Sequence, residues 1–346
     1  MAGNPLAGDL DLILKRTSLI WEDLRGARIF VTGGTGFFGC WLLESFAWAN
    51  QRLGLGAEML VLTRDVESFC KKAPHLTERS DIQFYIGDVR DFAFPAPPFS
   101  HVIHAATESV PKQAREDPAV TLETIINGTR RALEFAAHSG TKKFLLTSSG
   151  AVYGPQPSDL THVAEDYNGA PDVSTERSAY GEGKRVAELL CAMASQHHGI
   201  DTKIARCFAF VGPYMALDAH FAIGNFIRDA MAGGPLKING DGTPYRSYLY
   251  AGDLAAWLWT ILLRGPKNRA YNVGSSQSIT IAETATEVAH ALGGNIEISI
   301  AQKPTAGKLA QRYVPNINRA ATELQLDQWT TLEDAIRATA AWHRQT

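Results

Sequence analysis

The chain has 346 residues, 45% of them hydrophobic and 20% charged, with a formal net charge of −3. That balance describes a soluble globular protein of one large domain or two closely coupled ones. With no basic run it argues against a nucleic-acid partner. No apolar stretch approaches the roughly 20 residues that a bilayer-spanning helix needs. The N-terminus lacks the layout of a signal peptide, so a cytoplasmic protein without a membrane partner is expected. Cys40, Cys70, Cys191 and Cys207 show no CxxC spacing and read as reduced structural thiols. The ten histidines form no HxH or HExxH arrangement, and no metal site is expected.

Residues 1–25 read as an amphipathic helical extension. The stretch "ARIFVTGGTGFFGCWLLESFAWA" then gives a buried strand over 28–32, a glycine turn and a helix. Gly33, Gly36 and Gly39 stand three apart. Gly33 permits a tight turn, Gly36 lets the backbone approach a pyrophosphate, and Gly39 lets helix and strand pack closely. The pyrophosphate would sit on the helix N-terminus, so Thr35, Phe37 and Phe38 join the glycines as candidate cofactor contacts. A second strand, "AEMLVLTRD", ends in Arg64 and Asp65. Arg64 suits a 2′-phosphate and favours NADP(H), while Asp65 leaves NAD(H) open.

A third strand ends at Asp88 and Val89, placed to meet an adenine ring. "HVIHAAT" is a fourth, whose small Ala105 and Ala106, followed by Thr107, let a cofactor pass over its end. His104 reads as a packed core histidine. A helix, "LETIINGTRRALEFAAHSG", leads into the strand "KKFLLTSSGAVYG", which carries Ser148 and Ser149 at its end. Strand–helix–strand crossovers of this length predict an α/β fold: a Rossmann-type doubly wound parallel sheet with a smaller C-terminal α/β portion. Ligands in such sheets bind beyond the strands' carboxyl ends.

"SAYGEGKRVAELL" places Val186, Ala187, Leu189 and Leu190 as a helical apolar stripe. Tyr180 and Lys184 are four apart and share one face. Taken alone, the pair reads more readily as a surface aromatic covering a lysine stem. A phenol with pKa about 10 is a poor base near neutrality. An ammonium on the same face, together with an oxidised nicotinamide, would bring it toward working pH.

The segments "VTGGTGFFG", "GDVRD", "HAAT", "NGTRRALE", "LLTSSGAVYG", "YGEGKRVAE" and "GDGTPYRSYLYAGDLA" occur in the order found in the extended short-chain dehydrogenases/reductases. The chain resembles that family, in particular its nucleotide-sugar epimerases, dehydratases and reductases. The resemblance implies that Tyr180 exchanges a proton with a sugar hydroxyl or ketone. It makes Lys184 the holder of the nicotinamide ribose, and Ser149 the orienter of the reacting oxygen. Asn127 becomes the helix asparagine that supports the cofactor side. Dehydratases of the family follow the catalytic threonine with Asp-Glu, and the UDP-glucuronate decarboxylases keep a glutamate at the second of those places. Here stand Gly150 and Ala151.

What remains is hydride and proton transfer at one carbon. The expected reaction is NADPH-dependent reduction of a nucleotide-linked 4-keto-6-deoxy sugar, with Tyr180 as acid and base. The alternative is a 4-epimerase that retains NAD(P). A non-catalytic protein on the same fold is disfavoured by the intact Ser149, Tyr180 and Lys184.

For the substrate, a nucleotide-diphosphate sugar, the resemblance implies contacts from Ser149, Tyr153, Asn225, Arg246 and Arg312. Asn225 would begin a covering helix, and Arg246 would clamp the diphosphate. Tyr153 would line the sugar pocket, and Arg312 is either a second phosphate contact or a surface residue. His220 lies on the loop that would close over the sugar. Ala209 replaces an asparagine that helps bind the diphosphate in most relatives. The domains implied are a cofactor part over 26–205 and a mainly substrate-binding part over 206–346, interleaved. Relatives pair through the helices near 121–138 and 180–197, so a homodimer is expected.

Overall fold

The computed structural model describes residues 4–106, 117–219, 221–307 and 309–345. It divides into two compact units. One comprises Met1–Gly154, Asn168–Cys207 and Ala255–Tyr271; the other comprises Pro155–Tyr167, Phe208–Leu254 and Asn272–Thr346. The interleaving is thus deeper than boundaries near 25 and 205 suggest, and residues 1–25 belong to the first unit.

In chain order the first unit forms α1 (Ala7–Arg16), β1 (Arg28–Thr32), α2 (Phe37–Leu53), β2 (Glu58–Thr63), α3 (Val66–Lys72), α4 (Pro74–Thr77), β3 (Ile82–Ile86), β4 (His101–His104), α5 (Pro118–His138), β5 (Lys143–Ser149), α6 (Ala179–His197) and β6 (Asp201–Cys207). β7 (Phe210–Val211), α7 (Ala222–Met231), β8 (Leu236–Ile238), β9 (Tyr245–Arg246) and β10 (Leu249–Tyr250) follow. Then come α8 (Ala251–Arg264), β11 (Arg269–Val273), β12 (Ile279–Thr280), α9 (Ile281–Leu292), β13 (Ile298–Ile300), α10 (Asn318–Leu324) and α11 (Leu332–Gln345).

The central sheet runs β11-β6-β5-β4-β1-β2-β3. Its strands from β6 to β3 are parallel neighbours. Ile29, Phe30 and Val31 are buried, as a strand covered on both faces requires. The order reverses between β1 and β4, where Thr32 pairs with Leu62 on one side and His104 on the other. That reversal makes the crevice that open α/β sheets use for ligands.

Phe30, Phe92, Phe99 and Phe135 form an aromatic core beneath α5, with Phe30 and Phe135 centroids 4.5 Å apart. α6 buries Ala187, Cys191 and Ala194. Of the expected stripe only Ala187 is fully buried, and Leu189 faces solvent at 60% exposure. The helix is turned so that its small residues and Leu190 face the core while Leu189 points outward.

α1 buries Leu10 and Ile13, and its Asp11 accepts the Trp48 indole N–H of α2 at 2.8 Å. α8 is buried along almost its whole length, and its later residues belong to the first unit. There Trp259 packs on Trp21, 5.1 Å between centroids, and donates to Ser45 Oγ at 2.9 Å. In the second unit α7, α9 and α11 pack together, and three two-stranded sheets complete it. The buried Asp253 carboxylate accepts the Trp329 and Thr330 amides at 3.1 and 2.9 Å. No helix among the described residues is long and apolar enough to cross a membrane.

Glu44, inside α2, is buried and accepts from Asn4 Nδ2 at 3.1 Å and meets His75 Nε2 at 2.7 Å. The Glu44 hydrogen bond holds the His75 pKa above its ordinary 6.5, against partial burial. A raised folded-state pKa contributes stability that is complete below the unfolded value and fades as pH rises through the folded one. Denaturant midpoints of wild type and His75→Gln should therefore differ most below pH about 6.5 and converge at alkaline pH. The gap should stay under about 1 kcal/mol because His75 is half exposed. A pH-independent gap would contradict the linkage.

Candidate active site

The turn from β1 into α2 is built on backbone proximity. Gly33 has φ +74°, and a Cβ there would lie 2.5 Å from the Ala105 carbonyl and the Ala106 nitrogen. A Cβ on Gly39 would fall 2.3 Å from the Gly34 carbonyl. Gly36 is the N-cap of α2, and no side chain caps that end or places an acid in its first turn. A side chain at 36 would project into open space, with only the Gly33 oxygen at 3.4 Å. A bare helix N-terminus under a glycine shelf fits the pyrophosphate of a dinucleotide. Phe37 and Phe38, their rings 5.8 Å apart, open the helix.

Ala105 N donates to the Thr32 carbonyl at 3.0 Å and Ala106 N to Thr32 Oγ1 at 3.2 Å, which leaves the end of β4 without a bulky side chain. Thr107 and His220 lie outside the described residues. His104 is buried between Thr32 Oγ1 (2.7 Å) and Thr129 Oγ1 (3.1 Å), and burial pushes its pKa down to about 3. Val89 packs against Gly128 of α5, where a Cβ would approach it to 3.0 Å. Asp88 beside it is gripped by Arg90 at 2.8 and 3.0 Å. That hydrogen bond, with a smaller contribution from the Arg64 charge, holds the Asp88 carboxyl below its ordinary range. Asp65 caps α3 by accepting the Ser68 amide at 2.9 Å.

Ser149 closes β5, Tyr180 is the second residue of α6, and Lys184 follows one turn later. The Ser149 hydroxyl hydrogen-bonds the Tyr180 phenol and draws its pKa down, but burial of the hydroxyl end outweighs it and leaves the phenol raised. The ring remains reachable, with 36% of the residue exposed. Lys184 is buried, its Nζ donating to the Thr147 carbonyl of β5 at 2.8 Å and lying 5.9 Å from the Tyr180 ring centroid. Burial brings its pKa down to about 8. The expected acidification of Tyr180 also calls on an oxidised nicotinamide, and the protein's own groups alone leave the phenol raised.

Two glycines that sequence reasoning passed over allow this approach. A Cβ on Gly181 would stand 2.8 Å from the Ala151 carbonyl, and one on Gly183 would stand 3.2 Å from Ile125. Their alternation with Tyr180 and Lys184 in "YGEGK" was the available signal. Gly150 and Ala151 open a short 3₁₀ turn whose Ala151 amide donates to Ser149 Oγ at 3.1 Å. They put no carboxylate beside the phenol.

Asn127 does not join the group. Ile125 is the residue of α5 that faces α6, and a residue two further on lies about 200° around the helix. Asn127 is exposed and lines a surface cleft of about 370 Å³ with Arg90, Arg130 and Arg131. Tyr153 is buried, and its hydroxyl accepts from Arg206 Nη1 at 2.9 Å. Arg206 also grips Glu188 at 2.7 Å, and Glu188 accepts from Ser148 at 2.6 Å. Tyr153 therefore belongs to a polar network with Arg206, Glu188 and Ser148.

The second unit holds the remaining candidates. α7 begins at Ala222, and Asn225 sits within it, accepting from Arg228 Nη1 at 3.2 Å. The helix therefore starts three residues before the position expected to begin it. Arg246 of β9 donates to the Tyr245 carbonyl at 2.7 Å, and Arg312 stacks 4.1 Å from the Tyr245 ring centroid. Arg312 pairs with Tyr245 while Arg246 pairs with Ile279, and successive strand residues alternate faces, so the two guanidiniums begin on opposite faces. Ala209 offers only its carbonyl, to the Leu249 amide at 3.0 Å.

Residues 29–274 match the model of the NAD dependent epimerase/dehydratase family. The chain belongs to that family. Among curated members, UDP-glucuronic acid decarboxylase 6 of Arabidopsis thaliana is 30% identical over 310 residues, covering 89% of this chain and 86% of the relative. UDP-glucuronic acid decarboxylase 1 of Xenopus tropicalis is 27% identical over 92% of this chain and 72% of its own. The UDP-N-acetylglucosamine 4-epimerase of Methanobrevibacter ruminantium superposes with a TM-score of 0.79 at 19% identity, covering 93% of this chain and 99% of that one. For the UDP-glucose 4-epimerase of Thermotoga maritima, solved with UDP-glucose, the TM-score is 0.76 at 21% identity, with 92% and 99% coverage. These likenesses confirm the doubly wound fold of the family.

A methyl group on Gly39 would have to move backbone, not a flexible side chain. Gly39→Ala should therefore lower unfolding stability by about 1–3 kcal/mol. It should also weaken dinucleotide binding, read by calorimetry. Unchanged binding together with unchanged stability would refute this account of the turn.

Proposed function

We propose that the chain is an NADP(H)-preferring reductase of a nucleotide-diphosphate-linked 4-keto-6-deoxy sugar. The observation that carries this reading is Ser149, Tyr180 and Lys184 gathered where residues 150 and 151 supply no carboxylate. Bound nicotinamide supplies the hydride. Tyr180, kept protonated by burial, gives its proton to the ketone oxygen as negative charge develops there. Ser149, already hydrogen-bonded to the phenol, orients the same oxygen. Lys184, fixed on the Thr147 carbonyl, stabilises the phenolate left behind.

The curated relatives named above act, by their names, on UDP-glucuronic acid. The resemblance gives such enzymes a glutamate at the position of Ala151, so decarboxylation is not proposed here. The preference for NADP(H) is supported by Arg64 after β2 and by the engagement of Asp65 as a helix cap.

Purified protein mixed with TDP-, GDP-, CDP- and UDP-linked 4-keto sugars should consume NADPH with one of them. Interconversion of a nucleotide sugar without net cofactor consumption would replace the reductase reading with a 4-epimerase. Tyr180→Phe should lower turnover by about 10²–10⁴-fold and leave dinucleotide affinity nearly unchanged. Persistent turnover would remove the assigned role.

A homodimer through α5 and α6 is part of the same proposal. Leu189 and Met193, 60% and 46% exposed, stand one turn apart on the outer face of α6. Light scattering should give a dimer mass for wild type and a monomer mass for Leu189→Glu. A monomeric wild type would overturn it.

A further inference from the structure

A second cation stands at the glycine loop, and the roles above leave it unused. Lys72 is the last residue of α3, exposed to solvent, yet its Nζ donates to the Thr35 carbonyl at 3.1 Å. It also hydrogen-bonds Cys40 in the first turns of α2. α3 follows Arg64 and Asp65 at the end of β2 and returns the chain, at Lys72, to the loop between β1 and α2. A cationic residue therefore marks each end of this short path.

The neighbouring carboxylates are turned to other tasks. Asp65 caps α3 through the Ser68 amide, and Asp88 is gripped by Arg90. In doubly wound folds the adenosine ribose falls between the glycine turn and the end of the second strand. An acid there suits free hydroxyls, and a cation suits a 2′-phosphate. A phosphate monoester carries about −1.5 to −2 charges near neutrality, more than one guanidinium matches.

We infer that Lys72 is the second cation of a 2′-phosphate subsite, acting with Arg64 and Thr35 to favour NADP(H) over NAD(H). This rests on the NADP(H) reading above. The Thr35 carbonyl holds the ammonium at the loop in advance, so little side-chain freedom is lost when the phosphate arrives. Arg64 supplies a planar fork and Lys72 a compact point charge.

The probes are 2′,5′-ADP and 5′-AMP, which differ by that phosphate alone and carry no nicotinamide. Each is titrated calorimetrically into the whole chain as wild type, Lys72→Met, Lys72→Arg and Arg64→Leu, with melting temperatures recorded alongside. Wild type should prefer 2′,5′-ADP by about tenfold or more, a charge-assisted hydrogen bond's worth. Lys72→Met should lose about tenfold for 2′,5′-ADP while 5′-AMP stays within about twofold. Lys72→Arg should retain most of the preference, and the salt dependence of 2′,5′-ADP binding should flatten in Lys72→Met.

Equal weakening of both probes would show that Lys72 only steadies the loop, and would overturn the inference. So would an unchanged 2′,5′-ADP affinity in Lys72→Met while Arg64→Leu loses it, an outcome that leaves the NADP(H) reading standing. Equal affinity of wild type for the two probes would overturn the reading and the inference together.

Discussion

One buried contact sets the geometry of the proposed catalytic group: the Lys184 ammonium against the Thr147 carbonyl. An ammonium taken out of water carries a desolvation penalty of several kcal/mol unless something meets it, and here burial draws its pKa down to about 8. The carbonyl one strand position before Ser148 receives it, and that ties α6 to β5 at a fixed height. Tyr180, one turn earlier on α6, is thereby brought level with Ser149, two residues beyond Thr147. A purely structural site would place an apolar side chain here at lower cost. A buried cation beside a phenol and a hydroxyl is instead an arrangement expected where charge must develop.

The contact works only because the helix can approach closely. Gly181 and Gly183 bring α6 against the Ala151 carbonyl and Ile125, as Gly33 and Gly39 bring α2 against the sheet. Behind the group, Glu188 links Ser148 to Arg206, and Arg206 binds the Tyr153 hydroxyl. That chain of charge-assisted bonds stiffens the ends of β5 and β6 from the side away from the phenol. Cys207, paired with Ser149 across the two strands, is a deeply buried thiol whose pKa burial pushes up to about 12. It stays protonated and fills space beside Lys184 without adding a negative charge.

Much of this was legible in the sequence because it depends on local geometry. A glycine forced to positive φ and a strand running into a bare helix start each carry their meaning within a few residues, whereas the tyrosine one turn before a lysine takes its meaning from the motifs around it. The parallel, doubly wound sheet followed from the succession of strand–helix–strand crossovers, though not the order of its strands. The misreadings share a different cause. Asn127 and Leu189 depended on which way a helix is turned, and that is decided by packing between α5 and α6 that no single segment encodes. The engagement of the Tyr153 hydroxyl was not legible because its partner, Arg206, is 53 residues away. The return of residues 255–271 to the first unit was hidden because their partners are remote in the chain: Trp259 donates to Ser45, 214 residues away.

The raised phenol bears on the direction of the proposed chemistry. A reductase needs Tyr180 to hold its proton until hydride arrives, and burial already ensures this without help from any ligand. A reduced nicotinamide is neutral and leaves that condition intact. An oxidised one is cationic and would draw the phenol down, helping it to lose the proton once transfer is complete. The same side chain is then an acid before the reaction and a stabilised phenolate after it.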